Sequence, residues 1–418
     1  AVFKTKAQGA PPYQLTTVVP PGAYVTVRPS ASVVSMHVFN GRLYVGTGTP
    51  TEVIRINADD TWDVVVGPPR QNPTTGEWKY PVSNLDAGFG HTLNDHAWQM
   101  SDPYNFLYTG TYNASIGSRL DPIHGPLLAH NMGAHLYRTA NDWHYSPVTM
   151  NGFAFLNDPR GGKFDFGVRT MASTPYGMFL GTANDHYGLM IFRATKRTSP
   201  EVEMPTRLEI EPAKSGGVLL SWAAGYRAVS YRIFRAEILP IFVRDNFNIE
   251  GWNGVSGTKI PDTYVSPFLQ IGTSATTNYI DTTVQFGKRY MYYVAGQGQT
   301  GALSEPSSLG TFPLLLPPIT FASLLQQVDV WAQRQRFKAP ATTAQVVRQR
   351  VLEAKTMAAQ CRIPAAILKL SPTESSRALL NPELVDAEVL FNKLARRLQL
   401  YSLLPQAVQT TEFCTGQL

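Results

Sequence analysis

The side chains whose placement in this chain most suggests chemistry are its histidines. All eight lie between His37 and His186, far more than even scattering over 418 residues would place there. Imidazole beside carboxylate suits Zn, Fe, Cu or Ni, and it suits general acid–base work equally well. The candidates are His91, Asp95, His96, His124, His130, His135, Asp185 and His186. His91 to His96 and His130 to His135 are both H-x4-H. That is not a helical metal spacing, and strand residues five apart point to opposite sides, so loop geometry would have to bring such pairs together. The alternative is a set of loop histidines hydrogen-bonded to backbone, or a wet interface. Asp121, Asp142, Asn157 and Asp158 lie near glycines and suit calcium, but without a regular ligand loop. There is no GxSxG, Walker or dinucleotide motif, and no CxxC or CxxCH.

What must position these residues is a pattern that occurs three times. MHVFNGRLYVGT (36–47), MSDPYNFLYTGT (100–111) and MASTPYGMFLGT (171–182) match position for position. Each is followed by a short strand ending in arginine: Val53-Ile54-Arg55, Leu136-Tyr137-Arg138 and Ile191-Phe192-Arg193. Short β-branched and aromatic runs broken by Gly, Pro or Asn read as strands, and Asn40-Gly41 is a two-residue hairpin turn. A meander repeated at these intervals is the signature of a β-propeller blade. The loop entering a blade and the loop between its second and third strands share one face. That face would collect the histidines of blade two, including the insertion 112–133, together with Asp185 and His186 of blade three. Gly-Thr-Ala-Asn at 181–184 belongs to the repeat, and Arg55, Arg138 and Arg193 are expected to anchor blades. Trp98, Tyr104, Tyr112, Trp143 and Tyr187 could stack on sugar rings, although blade packing is the commoner use of such residues.

Three blades do not close a ring, since four is the usual minimum. The expected partner is another polypeptide that completes the propeller, or a larger assembly; residues 1–30 could supply one or two strands, or an arm lying on a neighbour, but are too short for a whole blade. Degenerate blades or an open sheet are the alternatives. From 205 to 313 the chain resembles a fibronectin type III domain, through VLLSW (218–222), YRIFR (231–235), YMYYVA (290–295) and a strand at 304–307, with an insertion at 238–268. The resemblance implies a core tryptophan at Trp222, and Tyr290 and Tyr292 near a tyrosine corner. It implies a spacer or adhesion module in an extracellular setting.

From 318 to 418 the pattern is helical. Leu324, Val328 and Trp331 fall on one face, Thr342 with Gln345 forms a capping box, and Leu384, Phe391, Leu394, Leu398 and Tyr401 follow a helical period. The net charge of +6 resides here: 318–402 hold twelve Lys and Arg against six Asp and Glu. A basic helical surface either meets an acidic partner or lipid headgroups, or is simply solvated. Nothing resembles a nucleic-acid groove, and no apolar run is long enough to span a bilayer. Cys361 and Cys414 either form one bridge or are two unpaired thiols. The expected fold is therefore mainly β with a C-terminal α domain: propeller blades over 1–200, a sandwich over 205–313 and a small helical bundle over 318–418. The whole resembles secreted bacterial multi-domain proteins of that architecture. Two functions follow as expectations. The first is a secreted, periplasmic or cell-surface binding or assembly subunit. The second is a metal-dependent enzyme using a transition metal or calcium at the histidine face.

Overall fold

The computed structural model describes residues 1–26, 28–76, 78–153, 161–194, 201–213, 217–241, 262–285, 288–312, 340–360 and scattered positions between 321 and 369. Strands β1 (Val2–Lys4) and β2 (Thr16–Val19) pair with each other. The first meander follows: β3 (Ser32–Phe39), β4 (Arg42–Gly48), β5 (Val53–Ile56) and β6 (Trp62–Val66). A small hairpin, β7 (Arg70–Gln71) and β8 (Trp78–Lys79), leads to the second meander. That meander is β9 (Asn94–Ser101), β10 (Leu107–Asn113), β11 (Leu136–Thr139) and β12 (Ser146–Thr149). A short helix, α1 (His124–Leu128), lies between β10 and β11. The third meander has three described strands, β13 (Asp165–Thr174), β14 (Gly177–Asn184) and β15 (Met190–Ala194).

The repeat seen in the sequence is a repeat of register. Met36, Met100 and Met171 pair with Val45, Thr109 and Leu180; Gly46, Gly110 and Gly181 pair with Val53, Leu136 and Ile191. The Asn40-Gly41 turn has both residues at positive φ, as a two-residue hairpin of this twist requires. The recurrent threonine has a physical role. Thr47 donates to Ser30 Oγ (3.1 Å), Thr111 to Asn94 Oδ1 (3.1 Å) and Thr182 to Asp165 Oδ1 (2.8 Å). Each bond ties the end of a second strand to the entry of its own first strand.

Successive meanders share cores. Tyr44, Val53 and Val65 of the first pack with Ala97, Met100 and Leu107 of the second. Tyr108 and Leu136 of the second pack with Val168, Met171 and Leu180 of the third. The meanders connect edge to edge through Gly48–His96 and Tyr112–Gly167 bridges, giving one eleven-stranded sheet. That sheet does not close on itself, so at the level the structure reaches the architecture is a row of meanders. Residues at 1–24 cover the opposite side of the first meander, where Val2, Val19 and Ala23 meet Val45, Ile54, Ile56, Trp62 and Val64.

The sandwich has a three-stranded sheet, β16 (Thr206–Pro212), β17 (Val218–Ala223) and β21 (Asn278–Asp281). Facing it are β18 (Ser230–Ile241), β19 (Asp262–Val265), β20 (Leu269–Ser274), β22 (Arg289–Gln297) and β23 (Gly310–Phe312). This is the fibronectin type III-like arrangement the sequence resembles. Alternate residues of both sheets, including Trp222, Ile233, Tyr290 and Tyr292, fill the space between them. Tyr292 donates to Asp281 Oδ2 (3.0 Å), and the Tyr290 hydroxyl accepts from the Gln285 amide (3.1 Å). The expected strand at 304–307 is absent: Ser304 and Ser307 each hold one residue of β22, Gly296 and Val294, by donating from the amide and accepting at the hydroxyl, and the last strand among the described residues is β23. The long β18 runs into the insertion, and β19 returns alongside it; 242–261, with Trp252, lie outside the described residues.

In the C-terminal part the helix α2 (Pro340–Ala359) begins two residues before the expected cap, so Thr342 lies inside it. Proline is well suited to a first helical position, where its missing N–H is not needed. Phe321 and Val328 are buried, as the helical face requires. Leu324, Trp331, Cys361, Cys414 and the helix expected after 381 lie outside the described residues.

Candidate functional site

The eight candidates fall into four groups. The first is buried where the second meander meets the sandwich. His91 and His135 are fully buried and stack with ring centroids 5.3 Å apart. His135 Nε2 donates to the Asn131 carbonyl (3.1 Å), and its Nδ1 accepts from the Tyr137 hydroxyl and the Asn94 amide, both at 2.9 Å. These bonds suit the neutral ring. Burial pulls the His135 pKa down to about 4. Burial, reinforced by His135 and His130, also pushes His91 well below the ordinary histidine range. Neither ring nitrogen of His91 has a hydrogen-bond partner among the described residues. His130 donates to the Val265 carbonyl of the sandwich (2.7 Å), and burial lowers its pKa too. The polar residues around this group, Asn94, Thr111 and Asn113, are the second meander's version of the repeat lock.

The second group lies where β9 and β10 of the second meander meet β13 of the third. His96 packs edge-on to Tyr112 (5.3 Å), Trp98 to Tyr112 (5.2 Å) and Tyr112 to Phe166 (5.7 Å). The Arg169 guanidinium sits 4.7 Å above the Trp98 ring, close enough for a cation–π contact. Asp95 Oδ2 lies 2.9 Å from His96 Nδ1 and accepts from Thr49 (3.1 Å). These four rings are half-buried and Arg169 is exposed. Two glycines make room for the strip. A Cβ on Gly167 would stand 2.1 Å from the Trp98 ring, and one on Gly48 would stand 2.6 Å from His96. Burial, then Asp95, raises the Tyr112 pKa, so its hydroxyl stays protonated.

The third group is at the rim of the third meander. His186 stacks on Phe164 (4.6 Å) with Tyr187 edge-on (4.6 Å), and Asp185 meets Arg119 at 3.2 Å. In the fourth, His124 Nδ1 lies 2.7 Å from Asp121, whose carboxyl is held below its usual range by that bond.

The shared face thus divides into separate clusters. Among the described residues no three His, Cys, Asp or Glu side chains gather as metal ligands. Among the described residues the buried imidazole pair has no carboxylate hydrogen-bonded to it, and both nitrogens of His135 are engaged. The calcium candidates are also engaged elsewhere: Asp142 accepts from Tyr44 (2.8 Å) and Arg55 (2.7 Å). Asn157 and Asp158 lie outside the described residues. Of the stacking candidates, Trp98 and Tyr112 come together. Phe166 and Arg169 were not singled out in the sequence; they flank Gly167-Val168 on β13, where irregular register and not a simple alternation brings them to one strip.

No protein-family model matches the chain, and no curated protein matches it. Among solved structures, an Fn3-like protein from Clostridium thermocellum is 25% identical, with a TM-score of 0.19, over 27% of this chain and 92% of that one. A structure of titin kinase and its flanking domains is 12% identical, with a TM-score of 0.18, over 31% of this chain and 19% of that one. A β-1,2-glucanase from Parabacteroides distasonis is 15% identical, with a TM-score of 0.16, over 36% of this chain and 18% of that one. This chain spans less than a fifth of the last two proteins, and at these scores the likenesses carry no argument about its activity.

Proposed function

We propose that the chain is an extracytoplasmic binding or assembly subunit, that its meanders are blades of a β-propeller, and that its recognition surface is the strip of His96, Trp98, Tyr112, Phe166 and Arg169. One observation carries this reading: four half-buried rings and an exposed guanidinium are held side by side on β9, β10 and β13, two of the rings in space that glycines leave open. Rings of this kind bury the apolar faces of a ligand, while Arg169 and Asp95 address its polar edges. A saccharide chain with carboxylate groups has that chemistry. The sandwich would hold the strip in place, and the basic C-terminal part would dock the subunit.

Tryptophan fluorescence of the whole chain titrated with acidic oligosaccharides tests this. Saturable quenching that Trp98→Ala removes and Arg169→Gln weakens at least ten-fold is the expected result. Titrations that are flat across neutral and acidic oligosaccharides, or unchanged in both variants, count against the strip. The second reading, a metal-dependent enzyme, is favoured by His91 alone, whose two ring nitrogens are buried without a partner among the described residues. Elemental analysis of the purified protein decides it: a transition metal bound in equal stoichiometry and lost in His91→Ala would revive it.

A further inference from the structure

The contact between successive meanders is the same each time. A Cβ on Gly46 would lie 2.8 Å from Ala97, and one on Gly110 would lie 2.5 Å from Val168. Ala97 and Val168 stand at one repeat position, three residues before Met100 and Met171. These glycines therefore admit the next meander's first strand. Around them, Val53 and Met100 are buried together in one seam, and Leu136 and Met171 in the other.

Among the described residues there is one further copy of each half of this seam, and both are open. On the third meander, among the described residues, a Cβ at Gly181 would meet only Thr170, at 3.3 Å. Ile191, the counterpart of Val53 (0% exposed) and Leu136 (1%), is 64% exposed. On the first meander Met36, the counterpart of Met100 (3%) and Met171 (8%), is 52% exposed, and Val33, the counterpart of Ala97 and Val168, is 39% exposed. The layer formed at 1–24 covers β4, β5 and β6 but stops short of these two residues.

We infer that the open seam is filled by a second copy of this chain. The Gly181–Ile191 side of each copy receives the Val33–Met36 side of the other. Such a contact is heterologous, and heterologous contacts close into rings when the rotation allows. Repeat count selects two copies. The described residues of one copy form three meanders, below the minimum; two copies bring six together, within the usual four to eight; three would exceed it. The inference rests on reading the meanders as blades, but not on any ligand at the aromatic strip, so failure of the saccharide titration leaves it standing.

The test is native mass spectrometry and light scattering of the full chain across micromolar concentrations. The wild type is expected at twice the 46.1 kDa of one chain. Met36→Lys and Ile191→Glu, both at exposed positions, are each expected at 46.1 kDa with unchanged circular dichroism, and with a melting temperature that no longer rises with protein concentration. Mixing the two variants should restore the double mass, because one seam in the mixed pair is wild type and the other sets Lys against Glu. A wild type that stays at 46.1 kDa throughout, or a dimer that survives both substitutions, overturns the proposal. So does a mixture that fails to reassociate.

Discussion

At the residue scale the clearest consequence is a pH dependence of stability. His91 and His135 are neutral inside the fold, whereas in the unfolded chain each titrates near 6.5. Between that value and the depressed folded value, the unfolded state binds more protons than the native state, so stability is lost as the pH falls. For His135, with a folded pKa of about 4, the loss over this window is on the order of 3 kcal/mol, and His91 adds to it in the same direction. Urea unfolding at pH 7.5 and pH 5 should show the drop. His135→Gln, which can still hydrogen-bond, should flatten the slope even if it lowers stability at neutral pH. An unchanged slope would mean that His135 does not stay neutral in the fold. The sequence showed the clustering of histidines but not their burial. H-x4-H says that two side chains point apart on a strand; it does not say that Asn94, Asn113, Asn131 and Tyr137 converge on one of them. Those partners come from four places in the chain, and no local pattern joins them.

At the scale of the element, the repeat was the legible part, because alternation and turn residues are local. The three aligned segments took the same register, and Arg55 does join two meanders, bonding Asp63 (2.6 Å) and Asp142 (2.7 Å). Its counterparts diverge: Arg138 reaches Glu305 of the sandwich, and Arg193 caps the Tyr176 carbonyl. The pairing of an arginine depends on what the next element presents, which its own strand cannot encode. The glycine of each Gly-Thr could be read as a repeat mark but not as a close approach. Its role can be measured. Gly110→Ala places a methyl on Val168 and should cost about 1–3 kcal/mol by overpacking. Val168→Gly in the same chain should recover part of that loss, so the double variant is more stable than the sum of the two single changes. Simple additivity would show that the two residues do not share a seam.

At the scale of the whole molecule, the boundary near 205 separates two topologies but not two cores. Ala236, Ile238, Val265, Met291 and Leu309 of the sandwich are buried in the same cluster as Tyr44, Phe89 and Tyr137 of the meanders. Backbone bonds cross as well, from Leu309 to Tyr145 (2.8 Å) and from Thr92 to Thr263 (2.9 Å). The sequence marked the stretch at 238–268 as a departure from the sandwich pattern. It could not show that β18 and β19 lengthen there to cover the second meander, because that contact spans more than a hundred residues of chain. A shared core of this kind couples the two parts in unfolding. Met291 is fully buried, and its methyl group fills the space over Gly90. Met291→Ala should cost about 2–5 kcal/mol. Although the residue lies in the sandwich, the loss should appear in the meanders too, as an equal fall in the midpoint followed by Trp62 and Trp98 fluorescence. A chain ending at 204 would leave Phe89, Tyr137 and Tyr145 uncovered and should not give a cooperative transition. Two separate transitions in the full chain, with only the later residues responding to Met291→Ala, would instead mean that the meanders and the sandwich fold as independent bodies.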